Sequence, residues 1–298
     1  MTTCFVIGNS AIDKTFVITS PLTFGASILS QTTHESVGGK GLNQAIALSR
    51  CDVNTEFISA IGNDHSGEVI EHALQQENMK KRLAKYSIPS DQSVIILNKS
   101  GDNAIVTSAN CAAKLDIDWI RNHVKHGTTG DHILLQGNFS YALSREILIE
   151  AKKKNMTTIL NPSPIQFQYD SLWEFIDFAV LNEYECQELS KHDNTFQGIQ
   201  KLSELGVKHV IVTRSGSDVL LYTESKLQTF EVPATNVVDT SGAGDVFCGI
   251  LVGALLHKLT INESIEAAIR CASLSTTAMG TVSSYPTGTT IKSILGII

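Results

Sequence analysis

Short apolar strands alternate with amphipathic helices along most of this chain, and that alternation restricts the fold more than any other feature. Helices are predicted at Gly67–Glu77, Ser144–Lys154 and Thr195–Leu205. The predicted strands are Phe5–Gly8, Thr55–Ile61, His132–Gln136, Thr157–Leu160, Phe178–Leu181, His209–Thr213 and Val219–Tyr222. This order favours an α/β fold, a three-layer sandwich in which helices cover both faces of a mostly parallel central sheet. Ligands of such sheets bind at the carboxyl ends of the strands.

Two segments interrupt the alternation. Residues 13–37 and 93–107 are rich in Thr, Ser, Val and Ile, and they contain turn signals at Ser20-Pro21 and at residues 100–103. Because neither segment has helical periodicity, we predict an antiparallel strand pair in each. A chain of 298 residues with 42% hydrophobic content can bury one large core. We therefore expect a single α/β domain over residues 1–298, with these two insertions.

Charge and cysteine content narrow the class of protein. The formal net charge of −7 gives no support for a nucleic-acid or membrane-surface partner. The six cysteines are scattered without a C-x-x-C pair, as expected of reduced, buried thiols. The first apolar run is too short for a signal peptide, and no stretch reaches the ~18 apolar residues of a membrane span. We expect a cytoplasmic enzyme.

The strongest chemical signal lies between residues 237 and 256. Val237 and Val238 are predicted to end a strand, residues 239–245 read DTSGAGD, and an apolar helix is predicted at Val246–Leu256. The small residues at 242–244 leave the backbone N–H groups of the helix start uncovered, with the helix dipole behind them. Such a helix start binds an anion without a positive side chain.

Asp245 lies at the mouth of this predicted anion site, where a carboxylate would repel a phosphate. A chemical explanation is that Asp245 takes the proton from a hydroxyl that attacks a phosphoryl group bound to those amides. The alternative is that Asp245 only caps the helix, since Asp is a favoured N-cap residue.

A second glycine-rich run occupies residues 38–45, which read GGKGLNQA. Glycines let the backbone approach a ligand closely, and a helix that begins near Leu42 would present Lys40 and Asn43 to that ligand. The alternative is a flexible loop with a solvated lysine. Neither glycine-rich run has the Gly-Lys-Ser/Thr spacing of a Walker A loop.

The two runs, in this order and about 200 residues apart, resemble the two signatures of the ribokinase-like (PfkB) carbohydrate kinases. The resemblance extends from Gly8 to about Pro286. It implies that Asp245 is the catalytic base and that the amides of Gly242, Ala243 and Gly244 stabilise the transferring phosphoryl group. It also implies that the two inserted segments form a small β-lid, which often pairs with the lid of a second subunit, so a homodimer is expected. The residues that it assigns to the sugar are Asp13, Gly39, Lys40, Asn43 and Asn138.

Further positions follow the family pattern. Residues 182–185 read NEYE and match an N-x-x-E element, which implies that Asn182 and Glu185 place Mg²⁺ and the phosphates, largely through water. Without the other motifs, Glu185 would be part of a solvated acidic helix start. Residues 161–164 read NPSP, a turn of the ribokinase branch. Thr213 and Ser215 correspond to the nucleotide-binding turn. The tail implies a monovalent-cation site, K⁺ in the family, with oxygen donors from Asp239, Ser241, Ser275, Ala278, Gly280 and Ser284.

Four positions, in three places, depart from the family pattern. In the nucleotide turn, Ser215 and Asp218 replace two glycines, which predicts a narrower turn and an added negative charge near ATP unless Gly216 restores the turn. In the sugar site, Ala11 replaces an Asn and Asn138 replaces a Glu. The loss of the side-chain amide at position 11, and the exchange of a carboxylate for a neutral amide at position 138, predict a preference for a deoxypentose or a differently substituted furanose over ribose.

The sequence therefore predicts an ATP-dependent kinase that phosphorylates a primary hydroxyl of a pentose or related furanose, with Mg²⁺ and K⁺. A nucleoside, hexose or sugar-phosphate kinase of the same family remains open. A nucleoside would need an apolar wall for the base, and a sugar phosphate would need a basic pair in the lid. A non-catalytic sugar-binding relative is the alternative outside the enzyme class, and the presence of Asp245 argues against it.

Overall fold

The computed structural model describes residues 2–99, 101 and 103–297. The strands are β1 (Thr3–Ile7), β2 (Ala11–Val17), β3 (Thr32–Gly38), β4 (Asn54–Gly62), β5 (Lys80–Tyr86), β6 (Asp91–Leu97), β7 (Asn103–Thr107), β8 (His132–Gln136), β9 (Thr157–Asn161), β10 (Phe178–Asn182), β11 (His209–Thr213), β12 (Asp218–Thr223) and β13 (Lys226–Glu231). The α-helices are α1 (Lys40–Ser49), α2 (His65–Leu74), α3 (Ile117–Val124), α4 (Tyr141–Lys153), α5 (Glu183–Ser190), α6 (Thr195–Glu204), α7 (Ala243–Leu256), α8 (Ile261–Ser275) and α9 (Gly288–Leu295).

The main sheet has the strand order β13-β12-β11-β10-β9-β8-β1-β4-β5. Its pairs are parallel from β5 through to β11, and β12 and β13 add an antiparallel edge. Hydrophobic cores lie on both faces: in β1, Cys4 and Val6 contribute to one core and Phe5 and Ile7 to the other. Strands buried on both faces have nearly continuous apolar runs, which is why the sequence pattern located them. The predicted three-layer α/β class is confirmed.

A second, four-stranded sheet has the order β3-β2-β6-β7. As predicted, each inserted segment forms an antiparallel pair, β2 with β3 and β6 with β7. The two pairs join through parallel β2 and β6. The strands occupy only the ends of the first segment, and residues 18–31 between them form a loop. Ser100 and Asp102 of the predicted turn at 100–103 lie outside the described residues.

The strand predicted to end at Val238 is wrong. β13 ends at Glu231, and the two valines lie in an irregular segment where their side chains are about half exposed. The backbone N–H groups of Val238 and Asp239 both donate to the carbonyl oxygen of Thr276 instead of to a neighbouring strand. Two β-branched residues before a turn therefore do not belong to a sheet here.

Helices α1 and α7 pack unusually closely, because α7 has glycines at the contact. A Cβ atom on Gly249 would lie 2.7 Å from the Gln44 carbonyl oxygen, and one on Gly253 would lie 2.4 Å from Cys51 Sγ. These contacts bring the start of α7 beside the start of α1. Both helices begin earlier than predicted, α1 at Lys40 and α7 at Ala243.

All six cysteines are free and buried, as predicted. Within residues 2–99, 101 and 103–297, the helices are too short or too polar to cross a membrane.

Candidate active site

The predicted site residues converge at the carboxyl edge of the main sheet. Parallel strands end at the same edge, so the residues that follow β1, β8, β9, β10 and β11 lie side by side. Asn182 and Thr213, from different motifs, are direct register partners at the ends of β10 and β11. The starts of α1 and α7 meet at the same edge, nearer to β1 and β8.

Asp245 is 5% exposed, and its carboxylate contacts α1. Asn43 Nδ2 donates to Oδ2 at 3.1 Å, and Gln44 Nε2 donates to Oδ1 at 3.0 Å. Lys40 Nζ lies 3.5 Å from Oδ1. The N-cap of α7 is Gly242, with no side-chain cap. The carboxylate therefore reaches across to another helix, and its three partners there are not those of a helix cap.

The turn before α7 requires a glycine at position 242. Gly242 has φ 79°, and a Cβ there would lie 2.6 Å from the Tyr285 hydroxyl oxygen. The N–H of Ala243 donates to the Thr240 carbonyl at 3.3 Å, and the N–H of Asp245 donates to the Gly242 carbonyl at 3.0 Å. Among the described residues, the N–H groups of Gly242 and Gly244 have no acceptor. These two amides are the ones left for an anion.

Asp13 lies on β2 and is 4% exposed. Burial raises the pKa of its carboxyl to about 6, and the Ser93 hydroxyl opposes this while the charge of Asp245 adds to it. Asp13 Oδ1 has no hydrogen-bond partner within the described part of the chain. The same holds for three more buried polar atoms at this edge: Asn9 Nδ2, Asn43 Oδ1 and Asn138 Oδ1. An unpaired buried polar atom costs ~1–3 kcal/mol, so this group fits a ligand rich in hydroxyls.

Lys40 is one-third exposed and lies within electrostatic reach of two carboxylates. Burial acts to lower its pKa, but the charges of Asp245 and Glu185 outweigh burial and the pKa is raised. The charged form of Lys40 is thus favoured by carboxylates of two motifs, those of Asp245 and Glu185. Glu185 is buried, and it forms a capping box with Asn182: the Asn182 side chain accepts from the Glu185 N–H, and Glu185 Oε2 accepts from the Asn182 N–H. Both residues cap α5, whatever else they bind.

The nucleotide turn between β11 and β12 is closed by a hydrogen bond from the Ser217 N–H to the Arg214 carbonyl at 3.0 Å. Ser215 occupies the left-handed region with φ 52°, whereas Gly216 does not. Ser215, and not Gly216, is therefore the residue with the left-handed backbone in this turn. The charge of Asp218 is balanced, because Arg214 Nη1 lies 3.1 Å from its carboxylate and Arg214 Nε lies 3.2 Å from Glu183.

We expect Ser215→Gly/Asp218→Gly to lower the KM for ATP about threefold, with little change in the sugar KM. Removing the Cβ atoms widens the turn, and glycine adopts φ 52° without strain. Steady-state kinetics at saturating sugar measure this. Ser217→Gly is the matched control, because Ser217 lies in the same turn without a left-handed φ. An unchanged ATP KM in the double variant would show that Ser215 and Asp218 do not obstruct the nucleotide.

The residues predicted to bind a monovalent cation come from three segments that meet. Asp239 Oδ1 accepts from the Ser241 N–H at 2.8 Å, and Oδ2 accepts from the Gly280 N–H at 2.9 Å. The hydroxyls of Ser275 and Ser284 donate to the carbonyls of Ala272 and Thr281. Ala278 is exposed. Asp239 thus joins the loop before α7 to the C-terminal segment.

The β6–β7 turn of the second sheet contacts this same loop. Thr240 Oγ1 donates to the Gly101 carbonyl at 2.9 Å, and Asn103 Nδ2 lies 3.1 Å from Ser241 Oγ. The second sheet therefore contacts the site at two places, through Asp13 on β2 and through this turn.

Several residues at the site were not predicted as functional. Gln44 contacts Asp245 directly, and Gln136 and Asn161 contact Gln44. Tyr285 is buried, its hydroxyl faces the Gly242 carbonyl, and burial with the charges of Asp245 and Asp13 raises its pKa. The sequence signal that could have identified two of them is an amide residue at the end of an apolar strand. Gln136 ends β8 and Asn161 ends β9, at the carboxyl edge of the sheet where ligands bind.

A family model described as pfkB family carbohydrate kinase matches residues 1–288. The chain belongs to this family. Among its curated relatives, the ribokinase of Haemophilus influenzae is 27% identical to this chain. The alignment covers 96% of this chain and 95% of the relative. The ribokinase of Dictyostelium discoideum is 28% identical and covers 94% of this chain and 96% of its own.

Solved structures agree with that assignment. The ribokinase of Thermotoga maritima has a TM-score of 0.86 at 27% identity, and each chain is covered to 99%. The Arabidopsis thaliana ribokinase complexed with ribose and ATP has a TM-score of 0.83 at 25% identity, covering 99% of this chain and 98% of that one. The predicted resemblance to the ribokinase-like carbohydrate kinases is confirmed.

Proposed function

We propose that this protein is an ATP-dependent kinase that transfers a phosphoryl group to a primary hydroxyl of a pentose or related furanose. The main support is one observation: a buried carboxylate, Asp245, held by Lys40, Asn43 and Gln44, next to two open amides at the start of α7. A base beside an anion site is what transfer of a phosphoryl group to a hydroxyl requires. The curated relatives named ribokinase support a pentose as the acceptor.

In this mechanism the sugar binds between β2 and the start of α1. Asp13 accepts hydrogen bonds from sugar hydroxyls through its unpaired oxygen, with Gly39, Lys40, Asn43 and Asn138 around it. Asp245 takes the proton of the primary hydroxyl as that oxygen attacks the terminal phosphorus of ATP, and the bond from this phosphorus to the bridging oxygen breaks, so that ADP leaves with that oxygen. The N–H groups of Gly242 and Gly244, with the dipole of α7, stabilise the charge on the phosphoryl oxygens.

The nucleotide lies at the ends of β10 and β11 in this proposal. Thr213 and Ser215 would line that part of the site, next to Asn182. Two solved relatives contain ATP, one of them with Mg²⁺, in complexes of Arabidopsis ribokinase and a putative ribokinase II. Glu185 and Asn182 fit Mg²⁺ because one buried carboxylate and one amide suit an ion that keeps several waters. The bound ion would neutralise charge on the phosphates.

The decisive experiment is a screen of pentoses, deoxypentoses, nucleosides and hexoses with Mg-ATP in K⁺ buffer. We expect ADP release that depends on a pentose, and a 5-phosphate product by ³¹P NMR. A preferred nucleoside or hexose would correct the substrate class. Sugar binding by calorimetry without any ADP release would identify a non-catalytic relative and overturn the proposal.

We further expect kcat/KM for 2-deoxyribose to equal or exceed that for ribose. Ala11 is fully buried and has no side-chain hydrogen bond to offer, so a hydroxyl facing it would lose ~1–3 kcal/mol. Ala11→Asn should shift the ratio towards ribose. A competition between the two sugars, measured as the ratio of their 5-phosphates, tests this. A clear excess of ribose 5-phosphate from the unmodified protein would contradict it.

We also propose activation by K⁺ near Asp239, Ser241, Ser275, Ala278, Gly280 and Ser284. Asp239 already connects the loop before α7 to Gly280, so a cation beside it would stiffen the anion-binding turn without contacting the substrates. Rates measured without Na⁺ or K⁺, and then with added KCl, are expected to differ several-fold. Equal rates would remove the cation from the mechanism.

We propose that the chain is one domain, in which the second sheet is a lid over the sugar and pairs with that of a second copy. Two apolar side chains exposed on one face of this sheet support an interface: Val94 at 41% and its register partner Val106 at 75%. Sedimentation across a concentration series should give the mass of a dimer. A monomer at all concentrations would contradict this part of the proposal.

A further inference from the structure

We propose that Gln44 is a positioning residue that orients the carboxylate of Asp245, and that Gln136 and Asn161 in turn hold Gln44. The inference rests on the proposed kinase function. The three amides come from α1, β8 and β9. Gln44 and Gln136 are fully buried, and Asn161 is 7% exposed.

The hydrogen bonds form one chain with a defined direction. Asn161 Nδ2 donates to the Val180 carbonyl at 2.9 Å, so its Oδ1 must face the other way. That oxygen accepts from Gln44 Nε2 at 3.1 Å. Gln44 Oε1 accepts from Gln136 Nε2 at 2.8 Å, which leaves Gln44 Nε2 as the group that faces Asp245. The chain is anchored at a backbone carbonyl of β10.

This arrangement distinguishes the two carboxylate oxygens of Asp245. Each oxygen offers about two in-plane lone pairs. Oδ1 faces both Gln44 Nε2 and Lys40 Nζ, whereas within residues 2–99, 101 and 103–297 Oδ2 accepts only from Asn43. Oδ2 is therefore the oxygen with a lone pair left for the hydroxyl proton. Gln44 keeps the carboxylate in that orientation, because rotation would break its hydrogen bond to Oδ1.

The support is rigid, since Gln136 and Asn161 are the last residues of adjacent strands in the middle of the main sheet. Groups held on sheet strands keep their geometry better than groups on loops, and a misplacement of about 1 Å can cost ~10²-fold in rate. The amides thus act on turnover through Asp245 without touching the sugar's hydroxyls.

The test is kinetic. Gln44→Met keeps the side-chain volume and removes the donor, and we expect kcat to fall about 10- to 100-fold while the sugar KM changes less than about threefold. Gln136→Met should lower kcat less. Because Gln136 acts through Gln44, the double variant Gln44→Met/Gln136→Met should be no slower than Gln44→Met within about twofold.

Thr55→Val is the matched control. Thr55 is 1% exposed and lies near the amino end of β4, away from the site. The variant therefore measures how much stability is lost when a buried polar side chain outside the site is replaced. It should lower thermal stability without changing kcat. If Gln44→Met fails to fold, Gln136→Met and Asn161→Ala can be used instead. Each keeps Gln44 and removes one of the hydrogen bonds that hold it. A lower kcat with an unchanged sugar KM in both variants supports the proposal.

The outcomes separate the two proposals. A wild-type protein without sugar-dependent ADP release overturns the proposed function. A wild-type kinase whose Gln44→Met variant keeps its kcat, or whose double variant loses activity additively, overturns the positioning role alone.

Discussion

Asp245→Asn is expected to lose ~10²–10⁴-fold in kcat, the usual contribution of a general base, while sugar binding survives. The reason is chemical, because an amide cannot take the hydroxyl proton. It is also geometric, since Asn43 and Gln44 donate to different oxygens of the carboxylate, and the NH₂ of an asparagine would face one of these donors. Single-turnover kinetics with Mg-ATP measure the chemical step, and calorimetry measures sugar affinity.

A suitable comparison is Asp177→Asn. Asp177 is also a buried carboxylate with charged partners, Lys152 and Lys208, but it lies at the opposite edge of the sheet, before β10. This variant should lose stability and keep its kcat per folded molecule. If Asp245→Asn retains more than about a third of the wild-type kcat, Asp245 is not the base.

Asp13→Asn is expected to weaken sugar binding and to stabilise the folded protein. The sugar KM should rise about 10- to 100-fold, because hydrogen bonds to a charged acceptor are worth ~1.5–3 kcal/mol. The free energy of unfolding at pH 7.5 should also rise, by up to about 3 kcal/mol, because the variant no longer buries a charged carboxylate with one unpaired oxygen. Affinity and stability are thus expected to move in opposite directions.

The pH dependence follows from the pKa of Asp13, which burial raises from 3.8 to about 6. Between these values the folded state holds a proton that the unfolded state has released. Stability therefore falls as pH rises through this window, and the full penalty is present above about pH 6. The stability gain of Asp13→Asn should be largest at pH 7.5 and should vanish near pH 3.5. Denaturant unfolding at both pH values checks this.

Asp91→Asn is the matched control, since Asp91 is equally buried but its two oxygens accept the N–H groups of Cys111 and Ala112. An asparagine would direct an NH₂ group at one of those N–H donors, so this variant should be less stable than the wild type at pH 7.5. If Asp13→Asn were destabilised in the same way, the carboxylate of Asp13 would have structural partners and its assignment to the sugar would weaken.

The strands of the main sheet were predictable because both of their faces are buried. β8 and β11 have the predicted bounds, and β1, β9 and β10 differ by one or two residues. Edge strands lack this signal: β5 was missed because its burial alternates and it contains three lysines. The glycine-rich motifs also identified side chains that prove to be close together in the structure, although their roles remain predictions.

The rest of the site depends on contacts between distant segments. Gln44 lies within a recognised motif, yet its link to Asp245 arises only because Gly249 lets α7 approach α1. The pairing of Arg214 with Asp218 and Glu183 likewise joins three elements. The spacing of residues in the sequence does not show which distant segments will come into contact. The apolar pattern within a strand, by contrast, does indicate which of its faces are buried. The starts of α1 and α7 were predicted two and three residues late for a related reason, since short glycine-rich runs resemble loops in the sequence.

The contacts of the second sheet have a consequence for how two ligands would influence each other. Asp13 on β2 and Asn103 on β7 belong to one hydrogen-bonded sheet, and Asn103 contacts Ser241 beside the anion-binding turn. A sugar bound to Asp13 would therefore contact the same sheet whose residues Gly101 and Asn103 contact Thr240 and Ser241 beside the nucleotide's phosphates. We expect a coupling free energy between the two ligands, so that saturating sugar changes the Kd for a nucleotide. Thermodynamic reciprocity then requires the nucleotide to change the Kd for sugar by the same factor.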